Sequence, residues 1–253
     1  MLPTAHQLHL RIPADASTWA ERMEAACAVV ERFFPGEQLL TANVPRDHAP
    51  PLALADRRAF LKKALKTRTR WLSLTNDKPG DGYLTVGGKI GSAAPAQFEL
   101  GCIVPAQPWE RSEQLLAALG DALQAQTGDL TPIGTLLRLR AIQLAGARVP
   151  DPLAGTLPRL RFCLAQDQDA PEQPPMLAWL NYWSEPTCRF LGFPDPRRDE
   201  RLQQLSWRTP GGAWLVKPTA QPLDLDRPGH LEAVAWMYER FPRLGPRPRP
   251  AAG

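Results

Sequence analysis

Along the first hundred residues the hydrophobic pattern switches period twice. Gln7 to Ile12 alternates, with Leu8, Leu10 and Ile12 on one side and polar residues on the other, which predicts a strand. Thr18 and Glu21 then stand as a capping box ahead of Trp19, Met23, Ala26, Val30 and Phe33, one apolar stripe at helical spacing that ends at Pro35-Gly36. A connection from Pro45 to Pro51 leads to a basic helix from about Asp56 to Lys66. Short β-prone runs follow at Trp71 to Thr75, Tyr83 to Gly87 and Gln97 to Val104. The turns between them are short, which favours an antiparallel meander. Pro108 opens a helix whose stripe is Leu115, Leu116, Leu119 and Leu123.

A second half begins near Gly128. Thr131-Pro132 reads as the cap of a helix through Leu136 to Leu144, broken by Pro150-Asp151-Pro152, and Arg159 to Ala165 reads as a strand with Leu160, Phe162 and Leu164 on one face. After a polar loop, Gln166 to Pro175, comes the aromatic run Met176 to Trp183. Ser184 and Gly192 bracket a short helix, and Asp195-Pro196 opens the next, turning Leu202 and Leu205 inward. Thr209-Pro210-Gly211-Gly212 is a turn feeding a strand at Ala213 to Lys217. The last helix starts at Pro228 and carries Leu231, Val234, Ala235, Tyr238 and Phe241. The expected architecture is α+β: a largely antiparallel sheet flanked by helices. It forms a single domain over residues 1–245, divisible near residue 128 into halves of similar size, with a disordered Pro/Arg tail at 246–253.

Proline sharpens this picture: 17 of the chain's 28 fall at or after Pro150, so the second half should be built of short elements with stiff connections. Charge is mildly positive at +4 but unevenly placed. Arg57, Arg58, Lys62, Lys63, Lys66, Arg68 and Arg70 follow one another with no acid among them. Arg58, Lys62 and Lys66 line one helix face, a basic patch that reads as a solvated surface, a nucleic-acid groove or a contact for an acidic partner. Cys27, Cys102, Cys163 and Cys188 are scattered without metal or disulfide spacing, so four free thiols in a reducing compartment are expected. No signal peptide or membrane-spanning apolar run is evident, and the expected location is the cytoplasm.

Catalytic chemistry has little to work with. Gly87-Gly88-Lys89-Ile90 lacks the spacing and hydroxyl of a phosphate loop, and there is no dinucleotide or nucleophile-elbow motif. His6 and His9 fall on opposite faces of a strand and so share no metal, and His230 sits in a helix's first turn as a surface residue. Restriction-type nucleases need a Glu-x-Lys pair, which occurs nowhere. Asp195 reads as a helix cap, and Asp224 and Asp226 resemble a carboxylate pair, although Asp226, two residues before Pro228, is again cap-like. The expectation is a protein with no catalytic residues, no metal and no cofactor.

The aromatic content points instead to packing or binding. Trp179, Trp183, Trp207, Trp214 and Trp236 all lie between Met176 and Leu244, with Tyr182 and Tyr238. The strings LAWLNYWSEPTCRFLGFPDPRRD, TPGGAWLV and PLDLDRPGHLEAVAWMYERFPRLG resemble bacterial proteins close to the immunity protein 52 family. Those proteins are encoded beside polymorphic toxins, among them type VI secretion effectors and restriction-endonuclease-like nucleases. The resemblance implies a protein that binds and neutralises a cognate toxin, and brings no catalytic residues. Interfaces concentrate their energy in aromatic and Arg anchors, so Tyr182, Trp183, Arg197, Arg198 and Trp207 are the candidate partner-binding residues. A basic nucleic-acid-binding module and an enzyme with an unfamiliar site are the alternatives. A basic chain also sits oddly with a nuclease inhibitor, which is often acidic.

Overall fold

Among the described residues, ten strands hydrogen-bond into one sheet in which every pairing is antiparallel. The computed structural model describes residues 5–13, 18–43, 52–66, 71–78, 83–90, 97–105, 108–145, 151–161 and 170–247. The strands are β1 (Ala5–Pro13), β2 (Thr41–Asn43), β3 (Leu52–Ala53), β4 (Trp71–Thr75), β5 (Thr85–Ile90), β6 (Gln97–Pro105), β7 (Thr127–Pro132), β8 (Leu180–Trp183), β9 (Trp207–Arg208) and β10 (Trp214–Val216). Their order across the sheet is β3-β2-β4-β5-β6-β1-β7-β8-β10-β9. The helices are α1 (Trp19–Phe33), α2 (Arg57–Lys66), α3 (Trp109–Leu123), α4 (Ile133–Arg140), α5 (Glu185–Leu191), α6 (Glu200–Leu205) and α7 (Pro228–Arg240), and α4 runs on into a π-helical turn at Ala141–Ala145. The fold is a single-domain α+β one, and the meander β4-β5-β6 is as the alternation predicts.

One sheet face is closed. Leu8, Leu10 and Ile12 of β1, Leu100, Cys102 and Val104 of β6, and Leu72 and Leu74 of β4 are all at most 1% exposed. Against them pack α1, through Trp19, Met23, Ala26 and Val30, and α3, through Leu115, Leu116, Leu119 and Leu123. Each such large apolar side chain gains about 1.5–3 kcal/mol on burial. α2 rides on α1: Leu61 and Ala64 are buried, and Arg57 reaches back to Glu24 at 2.8 Å and Glu31 at 2.5 Å. The most basic stretch thus spends its first cation on an internal bridge.

Several elements depart from the sequence reading. Thr18 makes no cap bond to α1; its hydroxyl accepts from Arg22 Nε at 3.1 Å. Thr127–Pro132 is a central strand, paired to β1 on one side and β8 on the other, so position 128 lies inside the sheet. β2, β3 and β9 were not foreseen. Arg159–Arg161 lies outside any ladder: Leu160 N donates to Gln143 O and Arg161 N to Pro246 O, and the rest of that expected strand falls outside the described residues. Leu205 is half-buried rather than turned fully inward. His230 is half-buried too, and its Nδ1 accepts from Asp224 N at 3.1 Å. Pro246 and Arg247 are held in place, Arg247 over the Tyr238 ring at 5.3 Å; residues 248–253 lie outside the described set. Cys27, Cys102 and Cys188 are buried free thiols, and Cys163 is not among the described residues. No helix among the described residues is long and apolar enough to cross a membrane.

Candidate functional site

The described residues cover the second face of the sheet over only half its width. Over β7, β8 and β10 lie α4, its π-turn and the end of α7, whose neighbour Phe241 meets Trp183 edge-on at 5.3 Å. Over β1, β6, β5 and β4 there is instead a recess of about 440 Å³, within the range of ligand sites. Antiparallel register builds its floor. Asp129, His9, Gly101, Gly87 and Ser73 stand side by side across β7, β1, β6, β5 and β4. Thr127, Arg11 and Glu99 form the row on one side, and Gln7, Ile103 and Thr85 the row on the other. Arg140, Leu144, Leu160, Arg161 and Met176 make the wall.

Gly101 and Gly87 are paired in register across the floor. Gly101 needs no left-handed backbone, and a Cβ there would meet only His9 Cδ2 at 3.7 Å and Leu8 O at 3.9 Å, ordinary contacts. Neither conformation nor crowding calls for glycine, which weakens a strand interior by roughly 0.5–1 kcal/mol. What the missing side chain provides is space. Gly120 and Gly128 differ, since a Cβ at either would strike Tyr182 or Leu10 at 2.3–2.4 Å.

Most titratable groups of the recess are engaged. His9 Nδ1 lies 3.2 Å from Asp129 Oδ1, and Gln7 Nε2 lies 3.0 Å from His9 Nε2. A neutral ring carrying its proton on Nδ1 satisfies both contacts, donating to Asp129 and accepting from Gln7. With both nitrogens occupied, the ring is held rather than poised as a base. Arg11, Glu99 and Arg161 have partners as well. Arg140 is half-buried at the wall and has no ion-pair partner among the described residues. No group of three His, Cys, Asp or Glu among the described residues converges as a metal site.

The residues expected to bind a partner are scattered by the fold. Trp183 is fully buried among Phe193, Phe241 and the strand ladder, which corrects its assignment as a surface anchor. Tyr182 is corrected likewise. It is 3% exposed, packs over Gly120, and its hydroxyl donates to Asp121 Oδ1 at 3.0 Å. Burial pushes that phenol well above its ordinary range. Asp121 also accepts from Thr209 Oγ1 and Gly211 N, so Tyr182 belongs to a knot tying α3 to the β9–β10 turn. Trp207 is half-buried, its ring 5.5 Å from Lys217 Nζ; Trp109 and Trp179 close the same box, and Glu113 pairs with the ammonium at 2.5 Å. Burial raises the Glu113 carboxyl above its ordinary value. Only Arg197 and Arg198 are exposed, on the turn that Asp195 organises before α6. Arg58 and Lys62 are exposed on α2, while the Lys66 side chain is not among those described.

Neither the recess nor Arg140 was foreseen. The signal was present in part: Gln7, His9 and Arg11 alternate with the buried leucines of β1, as Glu99, Gly101 and Ile103 do in β6. That β1 would insert between β6 and β7 is a long-range pairing no local pattern reveals.

A comparison with curated proteins finds no match. Among solved structures the chain resembles the Pseudomonas aeruginosa T6SS protein PA0821, with a TM-score of 0.59 and 15% identity over 96% of this chain and 77% of the other. At that identity the likeness concerns the fold. A family model matches residues 19–249, nearly the whole described chain, and by it the protein belongs to the family described as domain of unknown function DUF5953.

Proposed function

We propose that this chain is an immunity protein, which binds a secreted bacterial toxin in the cytoplasm and neutralises it without catalysis. The observation that carries the reading is the recess itself. It is large and lined by both charged and apolar side chains, yet its one histidine among the described residues is held at both nitrogens and no nucleophile–base pair lines it among them. Such a site recognises rather than transforms. The fold shared with a protein named for the type VI secretion system supports a role in that setting, as do the C-terminal strings that resemble the immunity protein 52 family. The basic helix α2 supports a nucleic-acid role poorly, because Arg57 bridges two glutamates of α1 and Leu61 and Ala64 face inward.

Coexpression tests this directly. The protein should rescue cells from the toxin encoded beside it, and the purified pair should co-elute. Rescue should survive every single Asp, Glu, His or Ser substitution that leaves the protein folded. A purified protein that consumed a substrate by itself, or a neighbouring toxin that killed regardless, would overturn the proposal.

A further inference from the structure

We infer that the recess on the open half of the sheet is the surface that grips the partner, and that what enters it is a protein segment bearing a carboxylate side chain that pairs with Arg140. This rests on the toxin-binding reading and says where and by what chemistry binding occurs. Three arginines from separate parts of the chain, Arg11 on β1, Arg140 at the end of α4 and Arg161, line the recess. Its two acids do not balance them: Asp129 is committed to His9, and Glu99 already has a partner. Arg140 is left without an ion-pair partner among the described residues, half-buried beside the apolar Leu144, Leu160 and Met176. A guanidinium in that setting favours a carboxylate, which it meets with two parallel hydrogen bonds. Gly101 on the floor gives the backbone of an incoming loop room to approach. An acidic segment also accounts for a basic inhibitor: the complementary charge sits on the toxin.

Two substitutions test the site from different sides. Gly101→Val fills the floor at a position where a Cβ meets no close atom, and Arg140→Glu reverses the charge of the wall. Each purified variant would be checked for wild-type circular dichroism and melting, then titrated against the toxin encoded beside the chain. Both should weaken binding at least tenfold, and binding by Arg140→Glu should lose much of its salt dependence. Folded variants that both bind within twofold of wild type would overturn the site while leaving the toxin-binding reading intact. Loss with Gly101→Val alone would overturn the carboxylate. Loss with Arg197→Glu and Arg198→Glu but with neither recess variant would move the interface to the turn before α6 and overturn the site. If wild-type protein itself failed to bind the toxin, the functional reading and this inference would fall together.

Discussion

Histidines in β1 show how a single position in the pleat decides a residue's chemistry. His6 faces the closed side, 2% exposed, with Nδ1 3.1 Å from Ser112 Oγ and its ring against Trp179; His9, three residues on, faces the recess. Burial lowers the His6 pKa from 6.5 to about 4. The folded state therefore keeps His6 neutral where the unfolded chain takes up a proton, so its contribution is present at neutral pH and is lost as pH falls from 6.5 toward 4. Over that window the loss is about 3 kcal/mol. Urea unfolding at pH 7 and pH 4 should show wild type losing about that much more stability than His6→Gln. Equal losses in the two proteins would mean that the imidazole is free to protonate in the fold. His9 is different in kind, because its contacts with Asp129 and Gln7 orient a ring at the site instead of sealing a core.

Elements sort the aromatics that make the C-terminal third conspicuous. Trp183 sits in β8 beneath Phe193 and Phe241, whereas Trp236 on α7 is 39% exposed. Trp183→Ala should cost about 3–5 kcal/mol through the cavity it leaves, while Trp236→Ala should stay within roughly 0.5 kcal/mol; chemical denaturation of the two variants decides. Val30, fully buried on α1, offers a harsher check: Val30→Asp places an unpaired carboxylate in the core and should unfold or aggregate the protein. A soluble, normally melting variant would mean α1 faces the other way. This is also where the sequence was most and least readable. Helices α1, α3, α5 and α7 announce themselves by apolar stripe or cap; Ser184 accepts from Thr187 N and Gly192 takes the left-handed C-cap at φ 71°. β7 does not. Its Thr127, Asp129 and Thr131 are polar yet buried: strands on both sides satisfy the backbone, Thr131 Oγ1 accepts from Trp179 N and Asp129 meets His9, while Thr127 Oγ1 has no hydrogen-bond partner among the described residues. A polar run ending in Pro132 carries no local sign of a central strand. The recess inherits that silence, since its rows exist only once β1 lies between β6 and β7.

At the scale of the whole molecule, the closed face gives stability and the half-open face gives access, and the end of the described chain decides how far the opening extends. Gly245 N donates to Pro174 O at 3.0 Å and Pro246 O accepts from Arg161 N at 2.7 Å, while Arg247 covers the Tyr238 ring. These contacts pin 159–161 and 174–176, which supply Leu160, Arg161, Pro175 and Met176 to the recess wall. Residues 245–247 are therefore a clasp on the site and not the start of a loose tail. A chain ending at Leu244 forfeits two backbone hydrogen bonds and a cation–π contact, together roughly 2–3 kcal/mol. In a chain of this size that is a fall in Tm of roughly 4–12 °C. A chain ending at Arg247 keeps every one of these contacts and should melt with wild type. The two truncations should separate in function as well, the shorter one binding toxin more weakly because its wall is unpinned. Identical melting of the two would show that the last residues lean on the fold without holding it, and the wall of the recess would then have to be stabilised by 170–178 alone.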